Sequence, residues 1–259
     1  MNDKYNEHEL EMSIIQMFEE KGYTYIQEND DWIVNRKLDD FIIEDDLLEA
    51  LEMINPKIKR KIFSEVVTKL KHLDALSFID KNRLFHKYLV DGIFIDDYFS
   101  DSNPLVKIID FENPDKVKFN EGRSTRIPDV LIYINGIPLI IFELKSIEDR
   151  EDATIENAYN QLGGNSDNSG YRYDIPTLFN YNAFCVISDG ANNRLGTITS
   201  DFERYSEWKS VDGKEVYKDY SVNKLDVMID GVFTKDRLLD IIKNNLFFID
   251  KDKEKPIKI

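Results

Sequence analysis

The chain has 259 residues, 42% of them hydrophobic, which suits one large domain or two small ones with a proper core. It has no run of about 18 apolar residues, the charged start "MNDKYNEHELEMS" lacks the apolar region of a signal peptide, and the single cysteine, Cys185, excludes an internal disulfide and any cysteine-built zinc site. The chain therefore reads as intracellular and cytoplasmic, and its net charge of -16 weighs against strong autonomous binding to nucleic acid, because gripping phosphates needs clustered Lys and Arg.

The first element is a helix. Residues 7 to 21 place Leu10, Ile14, Met17 and Phe18 on one face, and Gly22 stops them. "YTYI" and "WIVN" follow as short strands. Residues 45 to 72 read as two helices broken at Asn55-Pro56, a turn signal. "NRLFHKYLVDG" (82 to 92) is another amphipathic helix, followed by strand candidates "GIFIDDYF" and "LVKIIDFEN". Beyond residue 150, "DATIENAYNQL" (152 to 162) reads as a helix with Ile155, Ala158, Tyr159 and Leu162 on its apolar side. "GGNSDNSG" (163 to 170) has the composition of a mobile loop. "AFCVISDG" (183 to 190) is an almost wholly apolar strand, which predicts burial on both faces and makes Cys185 a core residue. Asp189-Gly190 should turn the chain at its end. "RLGTIT" is a further strand, and "TKDRLLDIIKNNLFF" (234 to 248) a closing helix with Thr234 as N-cap. The expected division is one domain over 1–250, with a helical part to about residue 92 and a core from about 93, and a charged linker over 251–259.

The stretch that carries chemistry is "RIPDVLIYINGIPLIIFELKS" (126 to 146), two apolar strands around Asn135-Gly136, a strong hairpin signal. Asp129 stands at one end of the pair, Glu143 and Lys145 at the other. An ideal two-residue turn would place Asp129 opposite Phe142 and leave Glu143 on the other face. A loop one residue longer, or an equivalent bulge, shifts the register. Asp129 then opposes Ile141 and lies diagonal to Glu143, at roughly 7 Å; this second arrangement is expected. Glu143 and Lys145 share a face in either case, by the period of two. Two carboxylates and a backbone carbonyl make a hard oxygen site suited to Mg²⁺. Such a site has to be acidic locally, so the net charge does not exclude chemistry on nucleic acid if a partner supplies basic surface.

"IPDVLIYINGIPLIIFELKS" resembles the nuclease signature of the R (restriction and translocation) subunit of type I restriction-modification enzymes, in the PD-(D/E)xK superfamily. Pro128-Asp129 and Glu143-Leu144-Lys145 supply the motif. "NRLFHKYLVDG" and "VKIIDFENPD" resemble its upstream segments. "DIPTLFNYNAFCVISDG" and "GTITSDFERYSEWK" resemble its downstream ones, and "LLDIIKNNLFFID…KPIKI" resembles the lead-in to a helicase motor. The resemblance implies an α/β restriction-endonuclease-like mixed sheet flanked by helices. It implies a Mg²⁺-dependent endonuclease acting on double-stranded DNA, with Asp129, Glu143 and the Leu144 carbonyl on metal and Lys145 handling water. ATP would be used by motor domains outside this chain, which has no GxxxxGK[ST] loop. The partners would be those motor domains, together with methylase and specificity subunits that choose the sequence.

Such nucleases often carry QxxxY on the following helix. Here Gln161 is present and is expected to orient phosphate or water, but position 165 is Asn, and the nearest tyrosines are Tyr171 and Tyr173. Related nucleases also place a helical glutamate near the metal, for which Glu9 and Glu11 are candidates. His8, His72 and His86 are too scattered for a triad or metal cluster. The broken QxxxY spacing lends some weight to a rival reading, a non-catalytic docking domain of the same complex with a vestigial site. A stand-alone nuclease of another pathway is a second rival, against which the motor-like tail argues.

Overall fold

The computed structural model describes residues 7–26, 39–96, 103–122, 128–145, 154–164, 169–217, 223–250 and 257–259. In chain order these form α1 (Glu7–Glu20), β1 (Thr24–Ile26), α2 (Glu44–Ile54), α3 (Arg60–Lys71), α4 (Phe78–Asp91), β2 (Ile93–Phe94), β3 (Leu105–Val106), β4 (Phe119–Gly122), β5 (Val130–Ile134) and β6 (Ile137–Leu144). Next come α5 (Ile155–Tyr159), which runs on into a π turn over Asn160–Gly164, α6 (Tyr171–Asp174), α7 (Pro176–Asn180), β7 (Phe184–Ser188) and β8 (Asn193–Gly196). The remaining elements are α8 (Lys224–Val232), α9 (Lys235–Asn244), β9 (Phe248–Ile249) and β10 (Ile257–Lys258). Among the described residues no helix is long and apolar enough to cross a membrane.

Six strands make one mixed sheet in the order β1-β4-β5-β6-β7-β8, with β1–β4 and β6–β7 parallel and the other pairs antiparallel. With its flanking helices this is the α/β, restriction-endonuclease-like arrangement that the sequence implies. The strands β5, β6 and β7 are buried at every position. That matches their nearly unbroken apolar sequences, since a strand covered on both faces cannot alternate with polar residues.

Helix α1 crosses one face. Leu10, Ile14 and Phe18 recur at spacing four and are buried. Phe18 meets Phe142 of β6 edge-on at 5.8 Å between centroids. Phe233, between α8 and α9, closes the cluster at 5.1 Å from Phe18 and 5.3 Å from Phe142. Alternation along β6 then turns Ile141 and Glu143 toward the opposite face.

Several elements differ from expectation. Helix α4 begins at Phe78, a turn before residue 82, because the Ser77 hydroxyl caps it by accepting from the Asp80 amide at 3.2 Å. Helix α9 starts just after Thr234, but the Thr234 side chain takes no capping hydrogen bond. Among the described residues, the strands "GIFIDDYF" and "LVKIIDFEN" contribute the pair Ile93–Phe94 and Leu105–Val106, and 97–99 lie outside those residues. Strand β4 escapes a pattern search, since it reads "FNEG", yet β1 and β5 enclose it. Its Glu121 is fully buried, and neither carboxylate oxygen has a hydrogen-bond partner. The segment "WIVN" lies outside the described residues, as do 165–168 of the Gly-rich patch and 251–256 of the tail. Ile257 and Lys258 of that tail pair with Ile249 and Phe248. The Lys258 ammonium is buried, donating to Asn82 Oδ1 at 3.0 Å and the Asn182 carbonyl at 2.8 Å.

Candidate active site

The site is set by a turn and a bulge. Asn135 and Gly136 both have positive φ, 52° and 74°, which gives a two-residue hairpin of the kind whose twist matches the strands. The turn pairs Ile134 with Ile137 and Tyr133 with Pro138. The register then slips, so that Ile132 faces Ile140, Leu131 faces Ile141 and Val130 faces Phe142. Pro138 has no N–H to give the ladder, which is why the irregularity falls there. Leu139 is the extra residue, and its carbonyl accepts from the Ala183 amide at 2.6 Å.

The loop is thus shorter than the longer form considered, and the equivalent bulge does the work. The slip also runs in the opposite direction to the one expected. Continued by one residue, the register sets Asp129 opposite Glu143 itself, instead of opposite Ile141 with Glu143 on the diagonal. Directly opposed side chains start about 4.5–5.5 Å apart at Cβ, closer than a diagonal pair.

Asp129 reaches across to β6, where its Oδ2 accepts from the Leu144 amide at 2.6 Å. Glu143 is fully buried. Its Oε1 accepts from Lys145 Nζ at 2.7 Å, and its Oε2 has no hydrogen-bond partner. The same ammonium donates to the Leu144 carbonyl at 2.7 Å, while the Lys145 amide is held by the Ser188 carbonyl of β7 at 2.8 Å. Burial pushes the Glu143 carboxyl well above the usual carboxylate range; Asp129 adds to the shift, Lys145 opposes it, and Glu7 adds again. Burial works against the Lys145 charge, but the carboxylates of Glu143, Asp129 and Glu7 together outweigh it and hold its pKa above that of a free lysine.

The structure brings a further helical glutamate, Glu7, against Lys145. Glu7 Oε1 lies 3.7 Å from Lys145 Nζ. Glu9 is exposed, and Glu11 is buried with His8 Nδ1 at 3.7 Å from its Oε2. Glu7 is one helical turn before Glu11, so the side of the helix was legible but the turn was not.

Gln161 and Tyr171 come together. Gln161 Nε2 donates to the Tyr171 hydroxyl at 2.6 Å. The tyrosine comes from α6, beyond the Gly-rich patch. Its phenol pKa is raised by burial first, then by Glu143, with Asp129 and Glu7 adding, so the same carboxylates act on it. Tyr173 is 40% exposed and lies under the Arg172 guanidinium at 5.4 Å.

The donors suit a small divalent cation in kind. Asp129, Glu143 and the Leu144 carbonyl offer hard oxygens, and a buried carboxylate oxygen without a hydrogen bond is what a cation would satisfy. Among the described residues no three His, Cys, Asp or Glu side chains form a metal-holding group. The two strands offer two carboxylates and a carbonyl.

The profile of the type I restriction enzyme R protein N-terminus family matches residues 4–204. This chain belongs to that family. The matched span runs from Glu7 through β8 and so includes every residue described above. Among curated proteins the chain is 29% identical over 272 residues to the type I restriction enzyme HindI endonuclease subunit of Haemophilus influenzae, covering 98% of this chain and 25% of the relative. It is 29% identical over 282 residues to the putative type I restriction enzyme MjaIXP endonuclease subunit of Methanocaldococcus jannaschii, covering 96% and 26%. A second protein of that archaeon, the putative MjaVIIIP endonuclease subunit, is 32% identical over 155 residues, covering 55% of this chain and 13% of its own length. The chain thus spans about a quarter of the first two relatives.

Proposed function

We propose that this domain is the nuclease of a type I restriction enzyme R subunit, hydrolysing phosphodiester bonds of double-stranded DNA with Mg²⁺. The observation that carries the reading is the convergence of Asp129, Glu143, the Leu144 carbonyl and Lys145 at the open ends of β5 and β6, with Glu143 Oε2 buried and without a hydrogen bond.

Asp129, Glu143 and the Leu144 carbonyl would hold the Mg²⁺. When bound, it supplies Lewis-acid polarisation of a phosphoryl oxygen and a lowered pKa for a coordinated water. Lys145 orients the attacking water and offsets charge on the phosphorane, the high-energy form to which a fixed ammonium binds best. Glu143, Asp129 and Glu7 together keep that lysine charged. Gln161 already donates to the Tyr171 oxygen, which leaves the phenol hydrogen to donate to a phosphate oxygen. Motor domains of the same subunit would use ATP, and methylase and specificity subunits would choose the sequence.

The test is the assembled enzyme carrying Asp129→Ala or Glu143→Ala. Cleavage should be lost while ATP-driven translocation continues. Normal cleavage by either variant ends the reading and leaves a docking domain with a vestigial site.

A further inference from the structure

Lys145 has two of its three ammonium donors committed, and both go to groups that the proposed function assigns to metal. Nζ is 2.7 Å from Glu143 Oε1 and 2.7 Å from the Leu144 carbonyl oxygen. A second carboxylate, that of Glu7, stands at 3.7 Å. The lysine side chain is only 15% exposed, so this is a seated cation and not a surface side chain resting on a neighbour.

A divalent ion coordinated at about 2.1 Å by that carboxylate and that carbonyl would stand close to the ammonium. Asp129, Glu143 and Glu7 supply negative charge for both cations, so it is repulsion at short range, not total charge, that sets them against each other at the Glu143–Leu144 end. The two occupants compete for that position.

We propose that Lys145 is an internal placeholder cation: its ammonium occupies the Glu143–Leu144 end of the metal site, and loading of the divalent ion displaces it toward Glu7 and the open side of the cleft. The inference rests on the nuclease reading of the site and adds a coupling to it. While seated, the ammonium satisfies one oxygen of a buried carboxylate that would otherwise stand uncompensated. Once displaced, it is available to the attacking water. The group that orients water would thus become free only when the metal is in place, so the domain would not present an armed lysine without its metal.

The coupling has a binding signature that needs no DNA. Mn²⁺ binding to the chain is measured by calorimetry for wild type, Lys145→Met and Glu143→Gln. Met keeps the length and apolar stem of the lysine but cannot donate. Losing a competitor held by charge-assisted hydrogen bonds should tighten Mn²⁺ binding by about tenfold to a hundredfold. Glu143→Gln should abolish it. Neutralising any nearby charge would tighten binding somewhat, so a crystal structure with Mn²⁺ separates displacement from simple electrostatics. In it Lys145 Nζ should have left both Glu143 Oε1 and the Leu144 carbonyl. Unchanged affinity in Lys145→Met, or a Mn²⁺ complex in which Lys145 keeps both contacts, overturns the placeholder while leaving the nuclease reading intact. No Mn²⁺ binding by either wild type or Lys145→Met overturns both.

Discussion

The Gln161 amide donates to the Tyr171 hydroxyl at 2.6 Å although ten residues separate the two. The π turn and α6 bring a tyrosine against the glutamine, although the fourth residue after it in sequence is Asn.

If that contact serves the reaction, Tyr171→Phe in the assembled enzyme should slow DNA cleavage by about tenfold to a thousandfold, the range for removing one donor aimed at developing charge. Tyr173→Phe should be silent, since that side chain lies outside the carboxylate cluster. Plasmid cleavage rates decide it, and equal effects of the two variants would sink the assignment.

Lys145→Arg should be nearly as damaging as Lys145→Ala. The pocket between Glu143 Oε1 and the Leu144 carbonyl fits a compact ammonium, and a guanidinium is planar and wider. Single-turnover cleavage by the two variants is the comparison. Rates near wild type for the Arg variant would reduce Lys145 to a general positive charge.

The hairpin turn is a structural weak point. Gly136 has φ of 74°, its carbonyl accepts from the Ile43 amide at 2.8 Å, and a Cβ there would strike the Ile43 carbonyl oxygen. Gly136→Ala should cost about 2–4 kcal/mol in urea denaturation, from the unfavourable φ and the backbone clash together. A loss below about 1 kcal/mol would mean that the entry to α2 yields easily.

Glu121 gives stability a pH dependence of definite sign. Burial, with Glu19 adding, pushes its carboxyl up to about 9 from the ordinary 4.5. Below pH 4.5 both folded and unfolded forms carry the proton and the group costs nothing. As pH rises from 4.5 to about 9 the unfolded state sheds the proton and the folded state keeps it, so this group makes stability fall across that window. Glu121→Gln should remove that contribution and stabilise the protein at pH 7 by about 2–3 kcal/mol. Denaturation at pH 5 and pH 8 tests it: a wild-type-minus-variant difference that does not grow with pH would mean that Glu121 has a counter-charge.

The chain alone should bind duplex DNA weakly and cut it poorly, even with Mg²⁺. Its charge is -16, and duplex DNA carries about one negative charge per 1.7 Å. One or two divalent ions offset only about two to four charges, and their influence fades beyond roughly 10 Å at 0.1 M salt. Titration against plasmid at physiological salt, with and without the motor-bearing subunit, is the assay. Efficient cutting by the chain alone would reveal a DNA groove of its own.

The sequence by itself determined the buried hairpin, the burial of the strand at 183–190 and the acidic and basic residues at the hairpin's mouth. These follow from short-range rules: Asn135-Gly136 dictates a turn, unbroken apolar runs dictate burial on both faces, and a charge ending such a run requires a partner. Gln161 came from the resemblance to nucleases with a QxxxY motif. Only the tertiary structure decided the rest. Whether Asp129 faces Glu143 or sits diagonal to it depends on a one-residue bulge whose place is fixed by Pro138 and by the Ala183 amide reaching Leu139 from β7. Strand β4 is a strand because β1 and β5 enclose it, although its own residues argue for a loop. Glu7 and Tyr171 come up to the carboxylates because separate elements carry them to the ends of β5 and β6. Periodicity along a chain records which face a residue takes, but not how far one element is slid against the next, and it is that sliding which brings Glu7 to Lys145 and Tyr171 to Gln161.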